Sequence, residues 1–138
     1  MHKVVLVDDE PWNLQGLEQL VDWQQHGFDI ALSTTKPLEA YEFIQKQKCG
    51  LLITDIRMPG ISGIEFIQKL RAEGSEIECV FLSGYEDFDY ARQAISAGVA
   101  EYCLKPLKAA DLSALLEKIN KKLSNKEEIG RASCRERV

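Results

Sequence analysis

The chain has 138 residues, enough for one domain with its own core. With 45% apolar and 28% charged residues it reads as globular rather than disordered, and its net charge of −5 argues against holding nucleic acid by phosphate neutralisation. No apolar run reaches the length of a membrane span, and Met1-His2-Lys3 leads straight into a short apolar run with no signal-peptide pattern, so a cytoplasmic protein is expected. Cys49, Cys79, Cys103 and Cys134 form no CxxC pair, and three lie within or beside apolar runs. Reduced, mostly buried thiols are expected rather than disulfides.

Five apolar runs alternate with segments of helical spacing. The first run is 4–7 (VVLV), followed by Pro11 and a face of Leu14, Leu17, Leu20 and Val21. The second is 28–32 (FDIAL), followed by Pro37 and a face of Ala40, Phe43 and Ile44. The third is 51–53 (LLI), with Ile64, Ile67 and Leu70 after Gly63. The fourth is 80–82 (VFL), with Phe88, Ala91, Ala94 and Ile95 before Gly98. The fifth is 102–104 (YCL), and then Leu112, Leu115, Leu116, Ile119 and Leu123 mark an amphipathic helix with Asp111 as its expected cap. Gly27, Gly74 and Gly98 fall where helices should stop.

Three of the runs are nearly continuous in Val, Ile and Leu, the pattern of parallel strands covered on both faces. The expected fold is α/β, a single (βα)5 doubly wound parallel sheet with the flavodoxin-like strand order 2-1-3-4-5. The domain is expected over 1–123. Residues 124–138 lose the apolar period and read as a mobile tail with Gly130 breaking any helix; 129–138 is unlike the rest and is the candidate for an added, non-native end.

In such a fold, ligands bind outside the carboxyl ends of the strands. Asp8, Asp9 and Glu10 follow the first strand, Asp55 the third, Ser83 and Gly84 the fourth, and Lys105 and Pro106 the fifth. With the first and third strands adjacent, Asp8, Asp9 and Asp55 meet. Two unit charges about 4 Å apart repel by about 4 kcal/mol at an effective dielectric near 20, which protonation or a cation must relieve. Hard carboxylate oxygens suit Mg²⁺, and a carboxylate beside Mg²⁺ can serve as a nucleophile toward phosphorus. Lys105 and the Ser83 hydroxyl then suit the phosphoryl oxygens. The plain alternative at any single position is an acidic residue that caps the next helix or hydrates a turn. Compatible groups at four strand ends together favour the functional reading.

The segments Val-Leu-Val-Asp-Asp-Glu, Asp-Ile-Arg-Met-Pro-Gly, Leu-Ser-Gly-Tyr and Leu-Lys-Pro, in this order, resemble the receiver domain of bacterial two-component response regulators over about residues 3–123. The resemblance implies Asp55 as phosphoacceptor. It also implies Asp8 and Asp9 as the acidic pair at a Mg²⁺ site, with Asp9 the more direct ligand, and the Arg57 carbonyl as a third ligand. Ser83 matches the switch hydroxyl, Lys105 the family's lysine and Tyr102 the aromatic switch residue; the Lys105–Pro106 bond is implied to be cis. The run from Ser83 to Phe88, with Tyr90-Ala91 and Lys105-Pro106-Leu107, further resembles YesN-like receivers that precede an AraC-type helix-turn-helix output domain. No such domain is seen in these residues, so a longer native protein is expected.

The implied function is a signalling domain that catalyses only its own phosphorylation and dephosphorylation, not an enzyme in the wider sense. Its implied partners are a sensor histidine kinase or a phosphotransfer protein. A homodimer through the fourth helix, fifth strand and fifth helix, and DNA bound only through the output domain, are also implied. Arg57 and Tyr85 are expected to set the phosphate lifetime. A haloacid-dehalogenase-like phosphatase needs a second Asp two residues after its nucleophile, where this chain has Arg57. A flavodoxin-like flavin binder needs a Gly- or hydroxyl-rich phosphate loop, where this chain has Asp8-Asp9-Glu10. A third rival is a receiver-like adaptor that acts by contacts alone. Trp12 is expected to pack over a helix edge rather than await a partner, and His2 and His26 lack partners at metal spacing.

Overall fold

The computed structural model describes residues 1–55, 63–83, 101–104 and 107–136, with backbone alone at 64, 83, 101, 102, 104 and 126–136. Five parallel strands form one sheet: β1 (His2–Val7), β2 (Phe28–Thr34), β3 (Leu51–Asp55), β4 (Glu78–Ser83) and β5 (Glu101–Leu104). Their order is β2-β1-β3-β4-β5, the flavodoxin-like order expected for the fold. Three described helices lie between them, α1 (Pro11–Leu20), α2 (Pro37–Lys46) and α3 (Gly63–Ala72), and the C-terminal helix spans Ala109–Glu136. The segment expected to form the fourth helix, from Phe88 to Gly98, lies outside the described residues.

The strands assemble because alternate residues are apolar on both faces. Val5, Val7, Leu52, Cys79 and Phe81 point to one side, where they meet Ala40, Tyr41 and Ile44 of α2 and Phe66, Ile67 and Leu70 of α3. Val4, Leu6, Leu51, Ile53, Val80 and Leu82 point to the other. There they meet Leu14 and Leu17 of α1 and Leu112, Leu115, Leu116, Ile119 and Leu123 of the C-terminal helix. Each fully buried side chain of this size contributes about 1.5–3 kcal/mol. The edge strand β2 is less deeply buried, and its register against β1 slips between Val4 and Val5, the kind of bulge that blunts an edge.

Pro11 and Pro37 each occupy the first turn of their helix, where the missing N–H costs nothing. Gly27 and Gly74 both have positive φ, 86° and 87°; Gly27 closes the 3-10 helix Gln24–His26 and Gly74 follows α3. Cys49 and Cys79 are buried and Cys103 half-buried, all as free thiols. Burial pushes the Cys79 thiol up to about 12 and the Cys49 thiol up as well.

Three expectations change. Asp111 does not cap the C-terminal helix; the helix begins at Ala109 and Asp111 stands in its first turn, where a negative charge still suits the helix dipole. Gly130 does not end that helix, which continues to Glu136. An interior Gly costs only about 1 kcal/mol, and 124–136 holds no proline and includes three Glu and two Arg, good helix formers. Leu123 is nevertheless the last buried residue among those described. Trp12 does not pack over a helix edge: it is 70% exposed in the first turn of α1. Trp23 takes the packed role, 5% exposed, with its indole N–H donating to the carbonyls of Leu17 and Glu18 at 3.3 and 3.2 Å.

Candidate metal centre at the carboxyl edge of the sheet

The register of the two central strands builds the site. Val7 of β1 pairs with Thr54 of β3, so the next residue on each strand, Asp8 and Asp55, emerges at the same level of the rim. Asp9 follows in the loop to α1. One carboxylate oxygen from each of Asp8, Asp9 and Asp55 lies within 4.8 Å of the others. Asp8 is 2% exposed, and Asp9 is the more open of the acidic pair.

Asp8 also does the plainer job expected of an acidic residue after a strand. Its carboxylate accepts the Glu10 backbone N–H at 3.0 Å and stands 3.5 Å from the Asn13 amide nitrogen, while its own N–H donates to the Thr34 carbonyl at 3.3 Å. Glu10, the residue before α1, makes no side-chain cap. Asp8 therefore fixes the entry to α1, which holds its carboxylate at the rim. Thr54, fully buried, donates its hydroxyl to the Asp55 carbonyl at 3.1 Å and steadies the end of β3. Asn13 and Thr54 were not singled out from sequence. Asn13 stands one helical turn from the acidic pair, a spacing that does point to it.

The arrangement is chemically specific in one respect. Three carboxylates this close repel strongly unless a cation is shared among them, and their oxygens are the hard ligands that Mg²⁺ prefers. The donor set fits that ion. Ser83 ends β4, with its backbone paired to Leu104, and Tyr102 on β5 pairs with Phe81. The sheet thus brings the Ser83 position to the same carboxyl edge as Asp55; the side chains of Ser83 and Tyr102 lie outside the described residues. So do Arg57, Gly84, Tyr85, Lys105 and Pro106, and with them the implied cis bond. His2 packs its ring against Phe28 at 5.8 Å between centroids, away from the acidic cluster at the opposite end of β1.

An open five-stranded parallel sheet with an acidic cluster at the ends of β1 and β3 defines the receiver class, and residues 4–117 match the response regulator receiver domain. The chain belongs to that family. It is 34% identical over 127 residues to the transcriptional regulatory protein YesN of Bacillus subtilis, covering 92% of this chain and 34% of YesN. It is likewise 34% identical over 139 residues to the transcriptional regulatory protein HptR of Staphylococcus aureus, covering 97% of this chain and 54% of HptR. The chain thus spans about a third to a half of these relatives. Among solved structures, the receiver domain of AraT, a response regulator from Geobacillus stearothermophilus, superposes with a TM-score of 0.85 at 26% identity, covering 91% of this chain and 98% of that one. Among the described residues, no helix is long and apolar enough to cross a membrane.

Proposed function

We propose that this receiver domain accepts a phosphoryl group on Asp55 from a phosphohistidine, and that the modification controls an output domain in a longer transcription regulator. The observation that carries the reading is the convergence of the Asp8, Asp9 and Asp55 oxygens within 4.8 Å at the carboxyl edge of a receiver fold. Asp9, Asp55 and the Arg57 carbonyl would hold Mg²⁺, with Asp8 shaping the site. When bound, the ion supplies positive charge against the phosphoryl oxygens and relieves the carboxylate repulsion.

The chain's own residues carry the rest. An Asp55 oxygen attacks phosphorus in line; the O–P bond forms as the P–N bond to the donor histidine breaks, and the leaving imidazole takes up a proton. The Lys105 ammonium stabilises one phosphoryl oxygen and the Ser83 hydroxyl donates to another. Drawing Ser83 inward makes room for Tyr102 to turn in, which biases the face to which residues 88–98, β5 and the C-terminal helix contribute. That face then dimerises or meets the output domain, which alone would contact DNA. The donor is a sensor histidine kinase or phosphotransfer protein in the cytoplasm. Trp12, exposed beside the acidic rim, supplies it an apolar contact.

The test is intact-protein mass after incubation with a small phosphodonor, with and without Mg²⁺, for the wild type and Asp55→Ala. A Mg²⁺-dependent gain of one phosphoryl group, lost in Asp55→Ala, is the expected result. No gain in the wild type, with a kinase donor also silent, would favour an adaptor that acts by contacts alone.

A further inference from the structure

The amino edge of the sheet carries a second organised cluster, at the opposite end of the strands from the acidic site. A belt of backbone hydrogen bonds crosses four strands there. His2 N–H donates to Gly27 at 3.0 Å, Gly50 N–H to Lys3 at 2.9 Å, and Glu78 N–H to Gly50 at 3.0 Å. One turn of the C-terminal helix, 120–123, sits on that belt through three contacts. A Cβ built on Gly27 would stand 2.9 Å from the Asn120 amide nitrogen. One built on Gly50 would stand 3.0 Å from Leu123 Cδ1. Only the two glycines admit the helix this closely. The third contact is ionic: Lys122 Nζ lies 3.2 Å from Glu78 Oε2.

That pair is asymmetric. The Glu78 side chain is 6% exposed while the Lys122 side chain is 52% exposed. A carboxylate at such a depth is costly to desolvate and depends on charged or polar partners, whereas a lysine at the surface can leave for water at little cost. The pair also joins residues 44 apart, one at the start of β4 and the other on the last helical turn with a buried residue among those described. Beyond Leu123 the helix continues to Glu136, roughly 20 Å at 1.5 Å per residue.

We propose that Lys122 and the buried Glu78 form a charge latch that seats the turn 120–123 of the C-terminal helix on the amino edge of the sheet, so that this end of the helix can be released without unfolding the strands. The latch is independent of phosphoryl acceptance, because its residues stand at the other end of the strands. It sets whether the rest of the helix, 124–136, is held in a fixed direction or frays back toward Ile119.

Amide hydrogen exchange of the whole chain tests this, on wild type, Lys122→Met, Glu78→Gln and the double variant. Lys122→Met keeps an apolar stem, replaces an exposed head, and leaves the core intact. The expected result is about tenfold faster exchange at amides 118–125 in Lys122→Met, unchanged exchange in β1 and β3, and recovery of most of the protection in the double variant. Three results overturn the proposal: unchanged exchange at 118–125 in Lys122→Met, equal acceleration in β1 and β3, or no recovery in the double variant. The last would mean that the lysine stem rather than its charge seats the turn.

Discussion

The two edges of the sheet handle charge in opposite ways. At the carboxyl edge, Asp8, Asp9 and Asp55 bring three like charges within 4.8 Å. At the amino edge, the buried Glu78 meets an opposite charge from Lys122. Strands of the same sheet bear both. Asp8 fixes the entry to α1 by accepting the Glu10 N–H, a turn that involves neither of the other two carboxylates. The acidic edge is the one the proposed function uses, and the Glu78–Lys122 pair ties the C-terminal helix to the sheet.

Substitutions at the amino edge are expected to give the largest stability effects. Gly27→Ala forces a side chain into φ 86° and against Asn120, and should cost about 2 kcal/mol in urea unfolding. Gly74→Ala meets the same φ penalty with nothing within 4 Å, so it should cost about 1 kcal/mol. A difference near zero between the two would mean that the Asn120 contact is slack.

Alkaline pH probes the same edge through Cys79, next to Glu78. Its folded value is about 12 against an ordinary 9.0, because burial disfavours the thiolate. The buried thiol therefore contributes stability that is complete below pH 9 and is lost as pH rises from there toward 12. By pH 10 the loss should reach about 1 kcal/mol, visible as a lowered melting temperature that Cys79→Ala reduces. An equal loss in Cys79→Ala would place the alkaline step elsewhere.

At the carboxyl edge the readout is the ion. Asp9→Asn removes one carboxylate oxygen donor and should weaken Mg²⁺ binding about tenfold or more, measured by titration. Trp12→Ala is the smallest in stability, within about 0.5 kcal/mol, because the side chain is exposed. It should slow phosphotransfer from the kinase without slowing acceptance from a small phosphodonor.

Much of this contrast was legible in the sequence and part was not. Continuous apolar runs such as 4–7 and 51–53 announce strands buried on both faces, and with helices between them they point to an open parallel sheet; the flavodoxin-like order assumed for it is the one the sheet adopts. Asp8, Asp9 and Asp55 were readable because each stands at the end of such a run. The amino edge was not. Glu78 was not singled out from sequence, and nothing local connects it to Lys122, 44 residues away. Trp12 and Trp23 show the same limit: both are aromatic residues near α1, and only tertiary packing separates the exposed one from the buried one. Gly130 misled because a single glycine is a weaker breaker than proline.

The most direct measurement is thermal unfolding of wild type, Asp55→Asn and Glu78→Gln, each with and without Mg²⁺. Without Mg²⁺, Glu78→Gln should melt below wild type, because it removes the charge that meets Lys122. Mg²⁺ should raise the melting temperature of wild type and Glu78→Gln and leave Asp55→Asn nearly unchanged. A wild type indifferent to Mg²⁺, or an Asp55→Asn that Mg²⁺ stabilises as much as wild type, would contradict the reading of the carboxyl edge as a carboxylate cluster shaped for a cation.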